Sequence, residues 1–165
     1  MKQQVSCWDY ILDSQLLSVK NHNFAIAVDT PFGLSLPVIK DVQTKNIEMI
    51  KQDLEKLIPL ALDNKLSRET LSGATLTISN IGNDWSLWNV GSIGGTFSFP
   101  LITMPQVAII ALNRAKQVAI PNSKDIKDGF TIKRILPINI SADHRVIDGA
   151  TVAKFIKSIQ KELDN

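Results

Sequence analysis

A single cysteine, Cys7, excludes an internal disulfide, and a lone thiol suits a reducing compartment. It lies in an N-terminal segment without pattern, which favours an ordinary side chain over a nucleophile. With one cysteine and only two histidines, His22 and His144, far apart in sequence, no zinc constellation can be assembled from nitrogen and sulfur donors. Charge of either sign is scarce in excess: 18 basic residues against 16 acidic ones leave a net +2, with no basic stripe and no interleaving of aromatic and basic residues. Nucleic acid is therefore not an expected partner, and neither is a membrane surface. The longest apolar runs, such as Val107 to Leu112, are far too short to span a bilayer. The first residues form neither a secretory core nor an Arg-rich transit peptide. No Gly-Lys-Ser/Thr follows the glycines of Gly91 to Gly95, so they make no phosphate loop. Internal repeats and low-complexity segments are absent too.

What remains is a 165-residue chain with 44% apolar and 21% charged residues, enough for one domain with a substantial core. Met1 to Lys20 shows no convincing period and is left unassigned. His22 to Val28 alternates as a strand, Asp29 to Gly33 reads as a turn, and Leu34 to Ile39 as a second strand. From Asn46 the period changes: Ile47, Ile50, Leu54, Leu57 and Ile58 make one face of a helix that Pro59 is expected to end or kink. Ser67 with Thr70 and Leu71 suggests a short capped turn. Ala74 to Ser79 reads as a strand with Leu76 and Ile78 on one face, and Gln106 to Leu112 as another. Phe130 to Ser141 reads as a long final strand open to interruption at Pro137. Thr151 to Leu163 places Val152, Phe155, Ile156, Ile159 and Leu163 on one helical stripe, with Lys154, Lys157 and Lys161 facing solvent. Strands and helices mix without strict alternation, so the expected fold class is α+β, a mixed β-sheet flanked by helices.

Chemistry concentrates in Ser141 to Ala150, where His144 stands between Asp143 and Asp148 at a strand-to-helix corner. An imidazole held at the rim of a cleft can take a proton from a thiol near neutral pH, so thiol activation is the first reaction to consider. Asp148 lies four residues after His144; if the helix has begun there the two share a face, and a structural ion pair is favoured over a proton relay. Asp143 and Arg145 suit local salt bridges or interface contacts, and His22, at the start of a strand, a structural place.

The run Asp143-His144-Arg145-Val146-Ile147-Asp148-Gly149 resembles the His-x-x-x-Asp-Gly signature of the dihydrolipoamide acyltransferases, core subunits of the 2-oxoacid dehydrogenase complexes. A similar signature occurs in chloramphenicol acetyltransferase. Other blocks agree in order: Ala27 to Pro31, Gly33 to Val38, Leu76-Thr77-Ile78-Ser79-Asn80-Ile81-Gly82, Ser92-Ile93-Gly94-Gly95-Thr96-Phe97, and Met104 to Ile109. The wording of Ser92 to Phe97 and of Ala142 to Ala150 leans toward the branched-chain member, with pyruvate-type enzymes close. The resemblance covers Asn21 to the end, giving a partial acyltransferase catalytic domain over 21–165, with 1–20 unassigned.

The resemblance implies a chloramphenicol-acetyltransferase-like fold, incomplete at its N-terminus, that moves an acyl group between dihydrolipoamide and coenzyme A. His144 would be the general base for the attacking thiol, Ser79 the hydroxyl donor to the oxyanion, and Asp148 a residue that holds or orients the site. Thr30 matches a segment bordering the coenzyme A channel. The expected partners are a homotrimer and larger core assembly, the channel lying between neighbouring subunits, with coenzyme A as substrate. The lipoyl group would be supplied by a lipoyl domain not expected within these residues. By the same resemblance the expected compartment is the mitochondrial matrix. Two departures stand out. By the resemblance, about the first third of the family's catalytic domain is expected to be absent from this chain, and Asn83 to Gly91, with Trp85 and Trp88, looks inserted close after Ser79. Such a loop would be exposed or would block the channel. The rival expectations are a non-catalytic core or interaction fragment that has lost turnover and, more remotely, an enzyme acylating a small alcohol.

Overall fold

The computed structural model describes residues 10–12, 15–80, 97–122 and 129–163. The Gly-rich span and the expected insertion at 83–91 lie outside them, as do Cys7, Trp85 and Trp88. Strands β1 (Tyr10–Leu12) and β2 (Gln15–Leu17) form a small antiparallel hairpin. Three-residue strands are too short to display a period, which is why this stretch reads as featureless.

The expected strand at His22 to Val28 divides into β3 (Phe24–Ile26) and β4 (Val28–Thr30). Between them the Ala27 N–H donates to the Ile78 carbonyl at 2.9 Å. β4 pairs antiparallel with β5 (Gly33–Ser35) around Pro31 and Phe32, and Gly33 takes φ +108°, a conformation that favours glycine. The expected strand at Leu34 to Ile39 also divides, leaving β6 (Val38–Ile39) after Pro37, which has no N–H to donate to a ladder.

Helix α1 (Ile47–Leu62) begins at Asn46, whose side chain accepts from the Met49 N–H at 2.9 Å. Pro59 does not end it. The helix continues to Leu62 because Pro59 lies on the exposed side of the final turn, where its missing N–H removes one bond. Its carbonyl still accepts from the Asp63 N–H at 3.0 Å, while Ile58 and Ala61 bury against Val28. A short 3₁₀ turn (Glu69–Leu71) follows, its Thr70 hydroxyl donating to the Ser67 carbonyl at 2.8 Å as the local pattern suggests.

The central sheet is built from β7 (Leu76–Asn80), β8 (Ala108–Leu112) and, after the outlying hairpin of β9 (Lys116–Pro121) with β10 (Phe130–Ile135), β11 (Ile138–Ala142). Its order is β11-β8-β7-β3-β6, parallel at β7–β8 and β3–β7 and antiparallel at both edges, the mixed sheet expected from the unalternating elements. The expected long strand from Phe130 to Ser141 is two strands in different sheets, separated at Leu136 and Pro137. β9 escapes the sequence pattern because it is half solvated, with little apolar periodicity to announce it.

Helix α2 (Gly149–Leu163) covers one face of this sheet. Its Val152, Phe155 and Ile159 pack on a core of Leu76, Val107, Ala108, Ile110 and Ile147, joined by Ile138 and Ile140. Ile156 and Leu163, expected on the same buried stripe, remain exposed. The opposite face carries Thr77, Ser79, Ile109, Ala111, Asn139 and Ser141, as the period of two requires. Leu76 is 1% exposed at the centre of the core. Leu76→Ala is therefore expected to destabilise the fold by about 2–5 kcal/mol in chemical denaturation; a change within about 0.5 kcal/mol would contradict this placement of the core.

Candidate active site

Strand β11 delivers His144 to its corner. The Asp143 N–H donates to the Val107 carbonyl at 2.8 Å, and the Asp143 carbonyl accepts from the N–H groups of Val146 (3.0 Å) and Ile147 (2.9 Å). Ile147, 2% exposed, anchors the far side of the turn in the core. His144 itself is exposed on this rigid corner, and its imidazole forms no hydrogen bond with a described residue.

The flanking charges are engaged locally. Arg145 grips Asp143 through Nε (3.0 Å to Oδ1) and Nη2 (2.6 Å to Oδ2), the local salt bridge that was one of the expectations for this pair. The guanidinium's hydrogen bond holds the Asp143 carboxyl below the usual carboxylate range. Asp148 is the N-cap of α2: its Oδ1 accepts from the Thr151 N–H at 2.6 Å, and its carbonyl accepts from the Val152 N–H at 3.2 Å. That backbone bond to Thr151 is the main cause of its lowered pKa, with lesser contributions from the charges of Lys154 and His144. The helix begins at Gly149, so His144 precedes it and the two residues do not share a helical face.

Ser79 sits near the C-terminal end of β7, partly buried, and its hydroxyl forms no hydrogen bond with a described residue. Thr30 follows β3 off the same end of the sheet; its hydroxyl donates to the Gly33 carbonyl at 2.6 Å and accepts from the Phe32 N–H at 3.2 Å, shaping the β4–β5 turn. His22 lies before β3, its N–H donating to Gln43 Oε1 at 2.8 Å. The register sets Ser79 and His144 apart. Ala142 pairs with Ala108 and Ser79 with Ala111, so two strands and three residues separate Ser79 from Ala142. At about 4.8 Å per strand and about 3.3 Å per residue this is on the order of 14 Å between Cα atoms. His144 lies past Ala142 at the end away from Ser79. One chain thus places Ser79 and Thr30 at one end of the sheet and His144 and Asp148 at the other.

Three polar residues go unrecognised in the sequence: Asn113 and Asn139, and Ser98, whose hydroxyl donates to Asn113 Oδ1 and whose backbone carbonyl accepts from Asn139 Nδ2. The available signal was an asparagine interrupting otherwise apolar stretches, at Ala108 to Asn113 and at Ile138 to Ile140. Among the described residues no group of three or more His, Cys, Asp or Glu is placed to hold a metal ion, and no helix is long and apolar enough to cross a membrane.

Residues 5–165 match the family described as 2-oxoacid dehydrogenases acyltransferase (catalytic domain). The chain belongs to that family. It is 44% identical over 136 residues to the mitochondrial lipoamide acyltransferase component of the branched-chain alpha-keto acid dehydrogenase complex of Arabidopsis thaliana, covering 82% of this chain and 26% of the relative. Among solved structures it is similar to the dihydrolipoamide acetyltransferase of Azotobacter vinelandii, with a TM-score of 0.79 and 33% identity over 93% of this chain and 58% of the other. That structure concerns the role of a serine, a histidine and an asparagine four residues beyond it in the acetyltransferase's catalytic mechanism. The cubic core of the pyruvate dehydrogenase multienzyme complex gives a TM-score of 0.78 at 33% identity, over 92% of this chain and 58% of the other. The chain thus spans about a quarter of the length of the curated relative and under two thirds of these solved chains.

The cap predicts a pH-dependent stability. A carboxyl whose folded pKa is lowered stabilises the fold above the ordinary carboxylate range, and the contribution is lost as pH falls through the folded value. Asp148→Ala should lower the thermal midpoint at neutral pH, the gap to the parent closing in acid; Asp148→Asn, which keeps the accepting oxygen, should retain most of the neutral midpoint. Equal neutral midpoints for parent and alanine variant would refute the capping role.

Proposed function

We propose that this chain is the catalytic portion of a dihydrolipoamide acyltransferase, moving an acyl group between dihydrolipoamide and coenzyme A, with branched-chain acyl groups as its substrates. His144 is the general base: its imidazole accepts the proton of the attacking thiol, and the thiolate adds to the thioester carbonyl. The Ser79 hydroxyl donates a hydrogen bond to the oxyanion so formed, a stabilisation that exists only while the charge does. Collapse expels the second sulfur, which recovers the proton from His144. Asp148 acts by fixing the first turn of α2 behind the histidine, and Thr30 shapes the hairpin on the Ser79 side, next to the coenzyme A channel.

The observation that supports this reading is the position of Ser79 and His144 at opposite ends of one sheet, within a chain of this family. A serine and a histidine on the order of 14 Å or more apart cannot attend one carbonyl, whereas a neighbour's histidine corner set against the serine end completes the site. By resemblance to the family the assembly is a homotrimer closed head to tail, so that every serine end meets a neighbour's histidine corner, and larger core assembly builds from it. The lipoyl group arrives on a separate lipoyl domain, and the mitochondrial relative supports the mitochondrial matrix as the compartment.

Sedimentation combined with an acyl-transfer assay on acyl-coenzyme A and free dihydrolipoamide tests this. Turnover should follow the assembled species; His144→Ala should lower kcat by about 10²–10⁴-fold and Ser79→Ala by about 10²–10³-fold. A fully active monomer would overturn the shared site, and equal rates for parent and His144→Ala would favour a chain that serves the core without turnover.

A further inference from the structure

The sheet face opposite α2 carries polar groups that the reaction above does not engage. The chain from Ser98 to Gln106 is tied to it at both ends. At one end the Ser98 hydroxyl donates to Asn113 Oδ1 at 3.0 Å, and Asn139 Nδ2 donates to the Ser98 carbonyl. At the other, the Thr77 hydroxyl donates to Gln106 Oε1 at 2.8 Å, both residues buried. Asn113 is fixed in turn, its backbone N–H (3.0 Å) and Nδ2 (3.3 Å) both donating to the Pro137 carbonyl.

These ties bracket Ser79. Thr77 precedes it by two residues on the same face of β7, and Asn139 stands in its own row, with only Ala111 between them. Asn113 lies two residues beyond Ala111 and is wholly buried. A buried amide with its partners satisfied admits few alternative arrangements, because each broken bond leaves an unsolvated polar atom. An oxyanion donor needs that constraint, since small displacements of a reacting group carry large rate penalties.

We infer that Ser98, Asn113 and Asn139 are positioning residues for the Ser79 hydroxyl, clamping segment 98–106 over its row. The inference rests on the reading of Ser79 as the oxyanion donor. Ser98→Ala in the full, assembled chain should lower kcat about tenfold with both KM values unchanged, and Ser98→Thr, which keeps the hydroxyl, should restore it. In a Ser79→Ala background, Ser98→Ala should have no further effect, because the group it positions is gone. Asn139→Ala gives a second route to the same loss, with sedimentation and thermal midpoint followed in parallel. A kcat unaffected by Ser98→Ala, or losses that multiply in the double variant, would overturn the clamp alone. A parent without turnover, or Ser79→Ala at the parental rate, would overturn the reading of Ser79 and the clamp with it.

Discussion

The register between β7, β8 and β11 is the constraint from which the rest follows. Parallel pairing aligns Ser79 with Ala111, and antiparallel pairing aligns Ala111 with Asn139, so three strands present one row on one face. Because β11 runs against its neighbour, it carries His144 off the end remote from Ser79. A slip of one residue along the strand of Ser79 would turn its faces over, moving the serine to the side of Ile110 and Leu76 out of the core. The core of Leu76, Val107 and Ile147 makes that slip costly, so the separation of Ser79 from His144 is fixed by packing.

The two faces of the sheet are stabilised differently. Under α2 the contacts are apolar and without direction, tolerant of small readjustment. On the other face the contacts are directional: hydroxyl to amide at Thr77 and Gln106, hydroxyl to amide at Ser98 and Asn113, amide to carbonyl at Asn139. Each such bond adds only about 1 kcal/mol net, yet each specifies one arrangement of the chain beside Ser79. Stability thus resides on the helix face and geometry on the serine face.

Electrostatics at the histidine corner follow the same division of labour. Both carboxylates near His144 are engaged elsewhere, Asp143 by Arg145 and Asp148 by the first turn of α2. Neither forms a hydrogen bond to the imidazole, which stands exposed on a turn anchored by Ile147. In the proposed reaction this leaves the ring to the thiol and to whatever a neighbouring subunit places against it.

The class of fold, the strands at Leu76 and Ala108, both long helices and the identity of the histidine turn were legible in the chain, because hydrophobic period and a compact motif are local properties. The helix running past Pro59 was not, since tertiary burial of Ile58 and Ala61 outweighed a local breaker. Nor was the division of Phe130 to Ser141 between two sheets, because strand partners are chosen by distant residues. Asp148 could be marked as important from its spacing, but its capping role depended on where α2 begins. That Ser79 and His144 lie at opposite ends of the sheet, and that Ser98, Asn113 and Asn139 converge, are consequences of register among strands far apart in sequence, which no local pattern encodes.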